Sequence, residues 1–376
     1  MKVHFDEEVN RRNTDSIKWD TFPEDTIPMF IADMDFAVSP AIVNAIQKRA
    51  AHPVFGYTRS DKRLITAFQT WFRENYQYEL NPEWLVVIPG IVPALAVASR
   101  VCDGKSMAAI PNYSMLLRSP AKAGKELIQV PLKNTEEYYE LDLDAMEKKL
   151  TPDTDLFYLC SPHNPVGRVF TREELKQVSE FAEKNRLVVI SDEIHCELVY
   201  DREHTPFLTV DDYARDHSIT FMAPGKTYNI PGVVLAFAII PNPELRARFQ
   251  KEWYALSHPG IFNMEAAIAA YGESAQWKRE LVEYLRANRD YLEGELQRRF
   301  PKARLTHTEG TYLQWVDFRA YGDDKTAEFF RRKAKVIFSS GDEFGGPGYV
   351  RINFGCRRGV LAEALDRLEQ ALKEEL

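Results

Sequence analysis

The chain of 376 residues reads as an α/β protein: a large domain with a mostly parallel sheet between helices, plus a smaller α+β C-terminal domain. Three observations predict this. Short apolar runs recur between residues 84 and 222, several of them apolar on both faces, as in the buried strands of a parallel sheet. Helical patterns separate these runs, and strands alternating with helices imply a sheet covered on both sides. Beyond residue 276 the alternation gives way to one long helical pattern, two alternating strands and a last helix, the order of a separate α+β unit.

Taken in order, residues 1–38 look irregular, with Trp19-Asp20 and Asp33-Met-Asp-Phe36 as their distinctive clusters. Ser39-Pro40 supplies an N-cap and a proline at the first helical position, opening a helix to about Ala51. A loop through Tyr57 leads to a second helix over 61–75, where Leu64, Ala67, Phe68, Trp71 and Phe72 form one apolar stripe. Strands are expected at 84–88, 107–110, 155–160, 187–190 and 219–222, and a helix follows the first of them through Val101. Thr171-Arg-Glu-Glu174 is a capping box that opens a helix bearing Leu175, Val178 and Phe181 on one face. A long helix over 276–300, strands at 312–318 and 349–354, and a leucine-striped terminal helix complete the chain. The expected division is an N-terminal arm over 1–40 that packs with the small domain, a large domain over 41–280 and a small domain over 281–376.

Composition narrows the function. Apolar content of 45% and charged content of 28% are those of an ordinary globular protein. A net charge of −8, from 48 basic and 56 acidic residues, argues against nucleic acid or an anionic membrane as partner. No stretch approaches the ~20 apolar residues of a membrane span. Met1 to Glu8 is charged and lacks the apolar core of a signal peptide. Cysteines 102, 160, 196 and 356 show neither metal-finger nor disulfide-framework spacing, so they are expected to stay reduced in a cytoplasm.

Chemistry-bearing residues fall just past the expected strand ends. Gly90-Ile91-Val92 opens a helix after the first, and Tyr113 follows the second. Asn164 follows the third, Asp192 and His195 the fourth, and Lys226 the fifth. Parallel strands end on one edge, where α/β proteins bind ligands. Each residue has a plain reading when taken singly. Lys226 reads as a solvated loop lysine, Gly90 as a turn, Tyr113 as packing, and Asn164-Pro165 as a simple turn. Asp192 reads as the partner of an arginine or a helix N-cap. Asp192-Glu-Ile-His-Cys-Glu197 also invites a metal-site reading, but it lacks a recognised ligand spacing such as His-Glu-x-x-His.

Together the residues suit pyridoxal 5′-phosphate. Its aldehyde matches a partly desolvated Lys226, its ring nitrogen Asp192, and its phenolic oxygen Asn164 and His195. Its phosphate matches the backbone N–H groups and positive dipole end at Gly90, Ile91 and Val92, and its ring face matches Tyr113. The lysine Schiff base with an aspartate at the pyridinium nitrogen is the recognisable motif of this cofactor. The Asn164-Pro165 bond is a candidate cis peptide. No metal ligand set is expected.

The motifs Ala-Asp-Met-Asp-Phe36, Phe-Gly-Tyr-Thr58, Pro-Gly-Ile-Val-Pro93, Ser-Pro-His-Asn-Pro-Val-Gly-Arg168, Ser-Asp-Glu-Ile-His195, Ala-Pro-Gly-Lys-Thr-Tyr-Asn-Ile230 and Tyr-Val-Arg-Ile-Asn-Phe-Gly-Cys356 carry a family resemblance over essentially the whole chain. The chain resembles fold-type I pyridoxal-phosphate enzymes, the aspartate-aminotransferase superfamily. Within it the chain is most similar to the MalY/PatB-type cystathionine β-lyases and C–S lyases, because related aminotransferases carry tyrosine where this chain has His195. The resemblance implies that Lys226 holds the cofactor and shuttles protons. It implies that Tyr113 stacks on the ring, Asp192 binds its nitrogen, and Asn164 and His195 contact its phenolic oxygen. It assigns Arg351 to the substrate α-carboxylate, and Tyr57 to the phosphate of the neighbouring subunit in a homodimer. Gly225 departs from the family, which has serine there. The implied reaction is α,β-elimination from L-cystathionine or related S-substituted cysteines, giving thiol, pyruvate and ammonia. An aminotransferase of class I/II and a cofactor-binding regulatory protein are the rival readings.

Overall fold

The computed structural model describes residues 4–58, 62–253, 259–322 and 326–374. Asp61, the expected first residue of the second helix, lies outside them. The central sheet has seven strands: β1 (Leu85–Ile88), β2 (Lys105–Ile110), β3 (Leu127–Pro131), β4 (Thr154–Cys160), β5 (Val188–Asp192), β6 (Ser218–Met222) and β7 (Ala236–Ile239). They lie in the order β1-β7-β6-β5-β4-β2-β3. The pairs β2–β3, β2–β4, β4–β5 and β5–β6 are parallel. Only β7 runs antiparallel to its neighbours, β1 and β6. Register brings the strand ends level, with Cys160 opposite Asp192 and Asp192 opposite Phe221.

Alternation along the inner strands fills both faces of this sheet. Tyr158, Ile190 and Phe221 join a core with Leu95 and Phe249. Phe157 and Val189 belong to another with Leu175, Val178 and Phe181. The helix that carries these last three, Arg172–Asn185, has the complete capping box expected at Thr171 and Glu174. Helix α1 (Pro40–Ala50) and helix α2 (Lys62–Tyr76) agree with expectation to within a residue or two. Ser39 caps no amide with its side chain; its hydroxyl accepts from Ser274 instead. In α2 the stripe of Leu64, Phe68, Trp71 and Phe72 is buried, and Phe68 stacks on Phe237 of β7 at 3.9 Å between centroids. Helix α3 (Ile91–Ala98) is shorter than the expected span through Val101. Residues 100 and 101 close as single three-residue turns onto Val97 and Ala98.

Helix α4 (Ala275–Arg299) continues without a break through the expected boundary at 280. A second, antiparallel sheet then forms from β8 (Arg304–Leu305), β9 (Leu313–Asp317), β10 (Ser339–Ser340) and β11 (Tyr349–Asn353), in the order β8-β9-β11-β10. Helix α5 (Arg358–Lys373) buries Leu361, Leu365, Leu368 and Leu372. The N-terminal segment is stitched to this region: Ile27–Pro28 pairs in parallel with Val336–Ile337, and the Asn353 amide donates to the Met29 carbonyl at 2.9 Å. No helix among the described residues is long and apolar enough to cross a membrane.

Candidate active site

A cavity of about 650 Å³ opens at the level edge of the central sheet. Gly90, Ile91, Val92, Tyr113, Asn164, Asp192, His195 and Lys226 all line it, and Arg351 reaches it from β11 of the other sheet. Tyr57 does not. It stands fully exposed in the single chain, outside the cavity. The grouping follows from topology: strands of one direction end together, and each loop leaving an end delivers its side chain to the same place.

Lys226 sits in the short helix Pro224–Thr227, separated from the end of β6 by Ala223 alone. Its ammonium donates to the Ala32 carbonyl, which also accepts from the Tyr312 hydroxyl at 2.9 Å. Burial, and next the Arg351 charge, bring the Lys226 amine down to about 8, against weaker opposing pulls from Asp33 and Asp192. Asp192 is buried at the end of β5, and its Oδ1 accepts the Ile194 amide at 3.2 Å. Burial raises its carboxyl to about 6, since desolvation penalises the charged form. Lys226 opposes that rise only as a nearby charge, so neither an arginine partner nor a helix N-cap accounts for Asp192.

His195 follows on a turn, and burial with the Lys226 and Arg351 charges holds its imidazole well below the usual range. Its ring is therefore neutral, and its Nδ1 is buried without a partner. Arg351 donates from one terminal nitrogen to Asn164 Oδ1 at 3.0 Å and from the other to the Ser339 hydroxyl at 3.1 Å. Its Nε is buried and unpartnered, and its plane lies 4.5 Å from the Phe344 ring centroid. Burial lowers even this guanidinium, to about 10. Tyr113 begins the helix Ser114–Lys122, and burial, then the Asp192 charge, raises its phenol to about 12. Gly90 holds a left-handed φ of 104°, and a Cβ there would meet Val234 Cγ1 at 2.7 Å, so glycine is required at the mouth of α3. Asn164–Pro165 is cis, as are Ser161–Pro162 and Ile110–Pro111.

The acidic residues beside Asp192 are committed elsewhere, which removes the metal reading of 192–197. Glu193 accepts from Ser191, the Phe207 amide and His204. Glu197 accepts from Trp71 and Lys278. Among the described residues no group of three or more His, Cys, Asp or Glu is placed to hold a metal ion.

Sequence reasoning marks residues 33–36 as a distinctive cluster near which substrate specificity is set, and the structure shows what holds them. Arg11 donates to Asp33 and Asp35, each at 2.8 Å, and the buried Lys18 ammonium and the Trp19 indole also donate to Asp35. Asn229, three residues after Lys226, accepts the Met34 amide and donates to the Met34 and Phe36 carbonyls. Asn353 donates to the Ile31 and Asp33 carbonyls, both at 2.7 Å. These bonds fix the strap that presents the Ala32 carbonyl to Lys226. The signal was present as two aspartates near an arginine, a lysine and a tryptophan, but pairing across 15 to 24 positions has no sequence pattern.

The residues fit pyridoxal 5′-phosphate. The cavity offers an amine brought down to about 8, a buried carboxylate without an ion pair, and buried unpartnered nitrogens on His195 and Arg351. A ring nitrogen, an aldehyde and an amino-acid carboxylate would satisfy them. Gly225 leaves room for the family's serine: a Cβ there would have its nearest contact at 3.7 Å, from Pro231. The missing hydroxyl is therefore not a steric necessity.

Comparison with known proteins agrees. The model of the family "aminotransferase class I and II" matches residues 24–368. Cystathionine beta-lyase PatB of Bacillus subtilis (strain 168) is 35% identical, over 98% of this chain and 100% of that protein. The crystal structure of cystalysin from Treponema denticola, which contains a pyridoxal 5′-phosphate cofactor, superposes with a TM-score of 0.95 at 30% identity, covering 100% of both chains. The PLP-bound C–S lyase from Staphylococcus hominis gives 0.93 at 31%, covering 99% of this chain and 98% of that one. With fold, cavity and relatives in accord, the chain belongs to the aminotransferase class I and II family, whose members depend on pyridoxal 5′-phosphate.

Proposed function

We propose that this protein is a pyridoxal 5′-phosphate-dependent carbon–sulfur lyase. It cleaves L-cystathionine or related S-substituted cysteines by α,β-elimination to a thiol, pyruvate and ammonia. The observation that carries the reading is Lys226: a buried amine brought down to about 8, in one cavity with a buried carboxylate and a guanidinium with a free Nε. The names of the relatives, cystathionine beta-lyase and C–S lyase, support the choice among reactions.

The cofactor, when bound, supplies an aldehyde for an amino group and a ring that withdraws electrons from the substrate α-carbon. Gly90, Ile91 and Val92, at the start of α3, would hold its phosphate, and Tyr113 would cover its ring face. Asp192 would face its ring nitrogen, and Asn164 and His195 its phenolic oxygen. Arg351 clamps the substrate α-carboxylate, a task suited to a planar guanidinium. Lys226 then acts as general base on the α-proton. The Cβ–S bond breaks with its electron pair leaving on sulfur, and the thiolate takes a proton. One water balances the remaining carbon skeleton as pyruvate and ammonia.

The protein works as a homodimer in this reading, with Tyr57 of one subunit completing the phosphate site of the other. The exposure of Tyr57 in the single chain supports that arrangement. Residues 1–40, 41–280 and 281–376 form the arm, large and small units, with the unbroken α4 as connector. Four free, buried cysteines support a cytoplasmic location.

The test is to incubate the cofactor-loaded protein with L-cystathionine and measure thiol and pyruvate without any 2-oxo acid. Equal amounts of both are expected. Strict dependence on an oxo acid, with no thiol released, would instead identify an aminotransferase.

A further inference from the structure

One wall of the cavity is apolar, and the reaction steps leave it unused. The ribbon of Ile27–Pro28 against Val336–Ile337 is extended by the Met29 amide, which donates to the Ile337 carbonyl at 2.8 Å. Its two strands therefore reach the cavity side by side. One delivers Phe30 and Ile31, and the other Ile337 and Phe338. Phe22 closes the wall, edge-on to Phe30 with centroids 5.4 Å apart and planes at 90°.

The wall abuts both anchoring points of the substrate. Directly after Ile31 comes Ala32, whose carbonyl accepts from Lys226. Directly after Phe338 comes Ser339, whose hydroxyl accepts from Arg351. A substrate held by its carboxylate at Arg351, with its α-carbon at Lys226, lies along this wall, and its side chain takes the apolar lining.

Charge points the same way. Among the described lining residues the cations are Lys226 and Arg351, both already committed. The further charge at the mouth is Glu343, an exposed carboxylate. The second amino-acid arm of L-cystathionine would bring both an ammonium, which Glu343 could meet, and a carboxylate, for which the described lining residues offer no free cation; leaving that carboxylate unpaired is costly.

We infer that the preferred S-substituent is an uncharged apolar group, alkyl or aryl, selected by Phe22, Phe30, Ile31 and Phe338. This rests on the lyase reading and names its substrate class.

The test uses wild-type holoenzyme with S-methyl-, S-ethyl-, S-propyl-, S-butyl- and S-benzyl-L-cysteine and with L-cystathionine, following pyruvate. The expected kcat/KM rises about fourfold per added methylene, the worth of burying each one. S-benzyl-L-cysteine is expected to exceed L-cystathionine roughly tenfold. Pyruvate formed equally along the series, or fastest from L-cystathionine, overturns the inference and leaves the lyase reading standing.

A binding measurement separates the two failures. L-homophenylalanine and 2,7-diaminosuberate replace the sulfur of S-phenylcysteine and L-cystathionine with a methylene, so neither can eliminate. Calorimetry on the holoenzyme is expected to give the tighter Kd for L-homophenylalanine, even if no substrate yields pyruvate and the lyase reading falls. A tighter Kd for 2,7-diaminosuberate overturns the inference by itself. Phe22→Ala, at a half-exposed position, is expected to lower the ratio of kcat/KM for S-benzyl-L-cysteine over L-cystathionine roughly fivefold. An unchanged ratio in both Phe22→Ala and Phe30→Ala contradicts the assignment of the wall.

Discussion

Burial and the Arg351 charge act on Lys226 in one direction and bring its amine to about 8, where a substantial share is neutral near physiological pH. Since the neutral amine is the form that attacks an aldehyde, capture of pyridoxal 5′-phosphate by apoprotein should quicken as pH rises through about 8 and level off above it. Arg351→Gln removes one of the two lowering influences, so the midpoint should move to higher pH. Stopped-flow absorbance of the two proteins across pH checks both, and a midpoint near the usual lysine value in the wild type contradicts the burial argument. Asp192 has a different task. In the proposed mechanism it would keep the ring nitrogen protonated, so Asp192→Ala should cut turnover on the order of 100-fold or more while the cofactor is retained. Steady-state kinetics alongside a cofactor assay measure this, and near-normal turnover would remove Asp192 from the mechanism.

At the scale of elements, the strap 31–36 connects the N-terminal charge cluster to Ala32, whose carbonyl accepts from Lys226. The Asp35 carboxylate holds the buried Lys18 ammonium at 3.0 Å. Asp35→Asn leaves that charge largely stranded, held only by the Asp33 carbonyl at 3.2 Å and the Asp33 carboxylate at 3.9 Å, which should cost about 2–3 kcal/mol. Adding Lys18→Met should recover part of the loss, because the stranded group is then gone. Urea denaturation of the three proteins measures it, and a single-mutant loss below about 1 kcal/mol would show that the cluster does not hold the strap.

The same elements show what a sequence discloses. The inner strands were legible because parallel strands buried on both faces read as near-continuous apolar or β-branched runs, as in Val188-Val-Ile190 and Ile219-Thr-Phe-Met222. The cavity residues became legible through position, as whatever follows each run. Leu127–Pro131 and Ala236–Ile239 were not anticipated. The first is a half-exposed edge strand, and the second is only four residues, two of them alanine. The pairing of Ile27–Pro28 with Val336–Ile337 was hidden for another reason: two-residue strands carry no period, and their partner lies some three hundred positions away.

For the whole molecule, the isolated chain builds a cavity from two sheets but leaves Tyr57 outside it. If Tyr57 serves the neighbouring subunit, two defective proteins should repair one another. Lys226→Ala and Tyr57→Ala subunits, unfolded together and refolded in equal amounts, should regain about a quarter of the wild-type activity, since half the dimers then carry one intact site. Activity no greater than the sum of the separate proteins would show that each chain completes its own site.

The central claim is that the amine at the end of β6 is the one that meets the cofactor. Borohydride reduction of the cofactor-loaded protein, followed by peptide mass spectrometry, tests it most directly. The expected result is a single phosphopyridoxyl group on Lys226; modification of a different lysine, or of none, would contradict it.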